Sequence, residues 1–166
     1  TPPQGWGAVV AADQEGTVHA AWPECSVAGD DCKADTIYYS VWRNGVWSHP
    51  VDILAAPIGE TVVVQSLRVD PYGRLVLVWT QNRGINISSA DSTKAESAQF
   101  WTTLTLAQDD AVRTGDLFIN GAGVYNLVYI VNDRAVKYAV STDAGMNWLD
   151  SLTVYSEERS DAGVIA

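Results

Sequence analysis

Acidic residues crowd one loop of this 166-residue chain. Glu24, Asp30, Asp31 and Asp35 fall within the segment 23–35, which also holds Cys25 and Cys32. Carboxylates at such spacing can shape a pocket rim, and Asp30 and Asp31 can offer oxygen ligands to a calcium ion. Long polar loops are also ordinary solvated surface, and the spacing alone does not choose between these uses. Arg68 and Arg113 lie in or beside apolar, strand-like runs, where a guanidinium can grip a ligand carboxylate through two parallel bonds. Each has a plainer use, Arg68 as the partner of a neighbouring acid and Arg113 as a solvated cation. Trp6 can stack on a sugar ring or serve in packing. Asp133 and Arg134 share a short polar loop and complete the candidate ligand-binding set.

None of these residues can be assigned a catalytic role. Ordinary glycoside hydrolysis needs two carboxyl groups roughly 5–10 Å apart, a distance that sequence does not supply. His19 alternates with apolar neighbours and His49 follows a turn; neither has an evident catalytic partner. No Ser-His-Asp arrangement, phosphate-cradling glycine loop or metal-binding helix motif occurs, so no cofactor is implied.

Two cysteines in one loop read most simply as a disulfide that clips the loop, which favours an extracellular or periplasmic protein. Two free thiols are the alternative. A zinc site would need two more ligands, and neither histidine lies there. The net charge of −10 argues against nucleic acid, which calls for a basic face, and against docking on anionic lipid. No apolar run approaches the ~20 residues of a membrane span. Asn86-Ile87-Ser88 matches a glycosylation sequon but lies in a strand-like run.

The elements that must carry these side chains repeat along the chain. Three turns share one plan: Asp13-Gln14-Glu15-Gly16, Asp70-Pro71-Tyr72-Gly73 and Asn120-Gly121-Ala122-Gly123. Six residues after each final glycine stands an aromatic residue, Trp22, Trp79 or Tyr129. Apolar-rich runs flank every turn. The second halves align too, with Trp47 seven residues after Ser40 and Trp148 seven after Ser141. The second unit expands this corner by Ser92–Gln99, a polar and mobile excursion by composition. Gly16, Gly73 and Gly123 stand 57 and 50 residues apart, and no segment shows a sustained helical period. The pattern predicts an all-β chain of three four-stranded antiparallel blades, over 5–54, 62–106 and 115–157, within a single arc over 1–166.

The segment Ser141-Thr142-Asp143-Ala144-Gly145-Met146-Asn147-Trp148 reads S-x-D-x-G-x-x-W. It resembles the Asp-box, or bacterial neuraminidase repeat, of sialidase-like β-propellers. The resemblance implies a six-bladed propeller of which this chain supplies half. It also implies that Ser141, Asp143, Gly145 and Trp148 build a turn, while ligands bind on the opposite face, where the 23–35 loop lies. The Arg-Ile-Pro signature of active sialidases follows none of the seven arginines, so no catalytic residue carries over. The expected function is therefore a non-catalytic, exported recognition or scaffold module for a glycan or protein. The alternatives are part of a sialidase-like exo-glycosidase and a subunit of a larger assembly. The tail Asp161–Ala166 resembles Gly7–Ala12, and 160–166 is expected to start a fourth blade. Further blades in the same chain, or a second copy, would then close the ring.

Overall fold

The computed structural model describes residues 7–26, 33–57, 60–81, 84–107 and 112–157. Trp6, Asp30, Asp31, Cys32 and the stretch 160–166 lie outside them, so the readings made for those residues remain expectations.

Three antiparallel sheets stand side by side. The first comprises β1 (Val9–Ala12), β2 (Val18–Glu24), β3 (Thr36–Arg43), β4 (Val46–Trp47) and β5 (Val51–Ala55). The second comprises β6 (Val62–Val69), β7 (Arg74–Gln81), β8 (Ile85–Asp91) and β9 (Thr102–Ala107). The third comprises β10 (Val112–Ile119), β11 (Tyr125–Val131), β12 (Ala135–Ser141) and β13 (Leu152–Ser156). Strands pair in chain order in the last two sheets. The first departs from four strands because β3 runs on past its pairing with β5 and turns at Asn44-Gly45, so that β4 folds back on its end. Asn44 and Gly45 both take positive φ, the conformation that such a two-residue hairpin turn demands. The strands β1, β6 and β10 lie next to one another along the inner edge.

Burial explains each strand's composition. In β7 every residue from Leu75 to Thr80 is buried, because the middle sheet is covered on both faces. Leu75, Leu77 and Trp79 pack toward Ile37, Tyr39 and Val41 of the first sheet. The alternate residues Val76 and Val78 pack toward Leu127 and Tyr129 of the third. In β11, by contrast, buried Tyr125, Leu127, Tyr129 and Val131 alternate with less buried residues, because only one face is covered.

The three repeated turns have one geometry. In each, a side-chain oxygen of the first residue accepts two backbone N–H bonds. Asp13 Oδ1 takes those of Glu15 and Thr17, Asp70 Oδ1 those of Tyr72 and Arg74, and Asn120 Oδ1 those of Ala122 and Val124. Asp and Asn suit the place because a short side chain can bond its own backbone two residues on. The closing glycine has a φ of +83°, +79° and +76° in turn, which is why that position is Gly.

The Ser92–Gln99 excursion is not the loose polar loop that its composition suggests. Ala95 is fully buried, its carbonyl accepts the Trp101 indole N–H at 2.9 Å, and a short 3₁₀ turn over Ala98–Phe100 leads into β9. Trp101 also meets Tyr39 edge-on at 6.0 Å, so the insertion is anchored to the core between the first two sheets.

Candidate functional site

Strand direction sorts the connections onto two faces. The Asp/Asn-Gly turns and the Ser141–Trp148 corner end one face; the β2–β3 connection and its counterparts end the other.

On the turn face, Ser141 Oγ donates to Asp143 Oδ1 at 2.8 Å and accepts the Gly145 N–H at 2.9 Å. Asp143 also accepts both N–H groups of Asn147, backbone and side chain. These bonds hold its carboxyl at about 2, below the ordinary carboxylate value. Trp148 donates its indole N–H to Gly145 O at 3.2 Å and lies 6.4 Å from the Tyr125 ring. The polar side-chain atoms of Ser141, Asp143 and Trp148 are thus spent on the turn itself.

On the loop face, the described candidates are tied down by neighbours. Trp22 Nε1 donates to Glu24 at 3.1 Å, while the Trp22 ring stacks on Tyr38 across the β2–β3 pair. Asp35 accepts from Ser26 N, Ser26 Oγ and Thr36 Oγ1, and these bonds, the Ser26 hydroxyl first, lower its pKa. Arg113 pairs with Asp133 at 2.9 Å; both are well exposed, so the pair adds little stability. Arg134 stands beside them, its carbonyl accepting the Glu157 N–H. Gln81 donates to Glu60 at the mouth of the inner edge. Arg68 takes the pairing role: it donates to Leu117 O at 2.9 Å, Leu67 O at 3.0 Å and Asp116 at 2.8 Å, and so links the second and third sheets. The structure brings Arg113 and Asp133 together from β10 and the loop after β11. It leaves Arg68 apart from them, facing the third sheet. The sequon residues Asn86 and Ser88 are buried in β8, with Asn86 accepting from Thr105.

A second concavity lies on the turn face. A cleft of about 390 Å³ opens between the first two sheets, bounded by Asp13, His19, Arg43, Tyr72 and Asp91 among others. Sequence reasoning passed these residues over, because it read Asp13 and Tyr72 as turn positions and found no partner for His19. The only signal was His19 itself, a polar residue on a strand face otherwise apolar. Among the described residues, no group of three His, Cys, Asp or Glu is arranged to hold a metal ion. No helix in them is long and apolar enough to cross a membrane.

Comparison with solved structures supplies the architecture. A GH43 β-1,3-galactosidase superposes with a TM-score of 0.59 at 10% identity, over 89% of this chain and 38% of that one. The chain is an arc of a β-propeller. An exo-β-1,3-galactanase from Phanerochaete chrysosporium, solved with β-1,3-galactotriose, gives a TM-score of 0.55 at 11% identity, over 87% of this chain and 34% of that one. The arc therefore spans little more than a third of the proteins it resembles, and each sheet is one blade. No protein-family description matches the sequence, and no curated protein does.

Proposed function

We propose that the chain is a non-catalytic glycan-recognition module of an exported β-propeller protein, with its ligand held on the face that bears the Cys25–Cys32 loop. The observation that carries this reading is the state of the carboxylates. Glu24, Asp35, Glu60 and Asp133 each have a fixed partner on that face. Every described carboxyl group whose pKa is displaced is displaced downward: Asp13, Asp35, Asp91 and Asp143. A glycosidase acid needs the opposite, a carboxyl held protonated near neutral pH. Carboxylates held in fixed positions instead suit recognition of sugar hydroxyls. The neighbours point to a first ligand, since both are named for β-1,3-galactosyl substrates. The test is calorimetric titration of the full-length protein with β-1,3-galactobiose and a glycan panel. Replacing Pro23–Asp35 by a short turn should abolish binding; unchanged affinity would refute the site. A protein ligand on the same face would show as a stable co-purifying partner whose binding the same replacement removes.

Three further elements belong to the proposal. The Ser141–Trp148 corner is read as an Asp-box, a structural link to sialidase-like propellers. The Cys25–Cys32 clip is read as a disulfide and goes with export; reduction should add one hydrogen per sulfur to the intact mass. Further blades, in the same chain or from a second copy, cover the two open faces of the arc. Those faces expose Val10 and Trp47 at one end and Phe118, Leu152 and Tyr155 at the other, an apolar surface that an isolated arc would leave in water.

The second reading is a glycosidase whose catalytic residues lie mostly outside this arc. Both neighbours are glycosidases of which the arc covers only part. Hydrolysis of an aryl β-galactoside or sialoside by the full-length protein, lost on substituting acids of the loop face, would move this reading ahead.

A further inference from the structure

His19 sits at the floor of the turn-face cleft with an unanswered donor. The residue is 0% exposed. Its Nδ1 lies 2.6 Å from the Tyr39 hydroxyl. Burial raises the Tyr39 pKa, so the phenol keeps its proton and donates it to Nδ1. Burial also lowers the His19 pKa, so the ring is neutral and its one N–H sits on Nε2. Among the described residues, that Nε2 has no hydrogen-bond partner. Asp13 Oδ2 is nearest in charge but lies 3.7 Å away, beyond hydrogen-bond reach. Asp13 spends Oδ1 on its own turn.

A donor and an acceptor separated by that gap specify what belongs between them. One oxygen that accepts from Nε2 and donates to Asp13, at about 2.8 Å each, fits. An ammonium cannot accept, a carboxylate has no proton to give Asp13, and a phosphate would set its negative charge against the acids of the cleft. A hydroxyl does both. Other walls of the cleft extend the match. Asp91 accepts both bonds from Thr93 on Oδ1, and the described residues place no bond on its Oδ2. The Tyr72 ring is 76% exposed at the rim, a flat apolar surface of the kind that stacks on a sugar's C–H face. Among the described residues Arg43 is the sole Arg or Lys on the wall and is already paired with Glu96 at 2.7 Å, so the cleft's net charge repels anions.

We propose that the cleft between the Asp13 and Asp70 turns is a second binding site, for a neutral saccharide, one of whose hydroxyls bridges His19 Nε2 and Asp13 Oδ2. The site lies at the opposite end of the strands from the loop face and does not depend on the function proposed there. Its volume of about 390 Å³ suits one or two sugar rings. The saccharide would contact two blades at once and so fasten them together.

The chain holds only two histidines, which makes the test direct. Long-range ¹H–¹⁵N spectra of the full-length protein at neutral pH resolve His19 and the exposed His49 as probe and internal control. Galactose, glucose, mannose and sorbitol are titrated in turn, with glucuronate as the anionic comparison. The expected result is a saturable shift of His19 Nε2 with at least one neutral sugar while His49 stays still. Half-saturation should weaken at least tenfold in Tyr72→Ala and in Asp91→Asn, two surface changes that leave the buried His19–Tyr39 pair intact, and glucuronate should bind far less. A non-saturating or absent His19 shift with every neutral sugar overturns the proposal and leaves a bridging water in the gap. So do shifts that persist unchanged in both variants, or glucuronate binding as tightly as the hexoses.

Discussion

Asp70 does two jobs, and only one of them is repeated in the other blades. Its Oδ1 accepts the turn N–H groups of Tyr72 and Arg74 at 2.9 and 2.8 Å. Its Oδ2 accepts the Tyr125 hydroxyl at 2.8 Å, across the interface between the second and third blades. Asp70 is 4% exposed and Tyr125 is 0% exposed, so the clasp is shut away from water. Burial, and then this bond, raise the Tyr125 pKa and keep the phenol a donor. Asp70→Ala removes three bonds. The two turn amides can turn to water, at a cost of about 0.5–1.5 kcal/mol each. The Tyr125 hydroxyl cannot, and an orphaned buried donor costs about 1–3 kcal/mol. The variant should lose about 4 kcal/mol in all. Asn120→Ala removes the matching pair of turn bonds without a clasp and should lose only about 2 kcal/mol.

Urea unfolding of the full-length protein, followed by tryptophan fluorescence, measures both. Tyr125→Phe deletes the clasp from the other side, leaving Asp70 Oδ2 without its donor. The double variant should then be less destabilised than the sum of the singles, by about 1–3 kcal/mol, the cost of leaving a buried polar group without its partner. Coupling below about 0.5 kcal/mol would be ordinary additivity and would refute the clasp as an energetic link between blades. Equal losses in Asp70→Ala and Asn120→Ala would refute it independently.

Other outcomes follow from particular contacts. In Gly115→Ala, the new Cβ would stand 2.7 Å from Ile85 Cδ1 and 3.2 Å from Tyr129 Cβ, between the second and third blades, and overpacking there should cost about 1–3 kcal/mol in the same urea assay. Stability should fall on acidification in two windows, because His19 and Asp143 both have lowered folded pKa values. Each contributes stability that is present above its unfolded value and lost as pH drops through the folded one. For His19 the loss begins below about 6.5 and disappears in His19→Gln. For Asp143 it runs from about 3.9 down to its folded value of about 2 and disappears in Asp143→Ala, as pH-dependent unfolding midpoints would show.

What could be read from the chain was local. The turns at Asp13, Asp70 and Asn120 were legible because the bonds that specify them lie within four residues, and the glycine that closes each is forced by φ. The strands were legible from their apolar runs, and the three-blade count from the fixed spacing of turn and aromatic. What joins blades was not legible. Arg68 reaches Leu117 and Asp116, and Asp70 reaches Tyr125, across roughly fifty residues of chain. No pattern says which of seven arginines will face a neighbouring carbonyl. Arg113 and Asp133 could each be named as candidates, but their pairing depends on β10 lying against β11. The turn-face cleft was invisible for the same reason: its walls come from four separate turns and corners, each complete in itself.

The open ends of the arc give the repeat a quantitative test. Counting from the turn glycine, Ala21, Val78 and Val128 occupy one position in successive blades. Each points toward the following blade. Ala21 and Val78 are 0% exposed there, whereas Val128 is 44% exposed because no described residue covers it. Trp22 is the mirror case. It matches Trp79 and Tyr129, each 5% exposed against the preceding blade, yet it faces outward, beside Tyr38 and Glu24 of its own sheet. Side chains chosen for an interface therefore stand where the described arc has none. Val78→Ala should cost about 2–3 kcal/mol, from lost transfer energy plus a small cavity. Val128→Ala should cost less than about 1 kcal/mol on a bare face, but nearly as much as Val78→Ala if a further blade packs over it. Both variants are unfolded in urea as full-length protein. Matching costs at all protein concentrations mean that the covering blade belongs to the same chain. A Val128 cost that grows with protein concentration means that a second copy supplies it. A small, concentration-independent cost would show that the face is bare, and would refute the continuation of the propeller beyond the third blade.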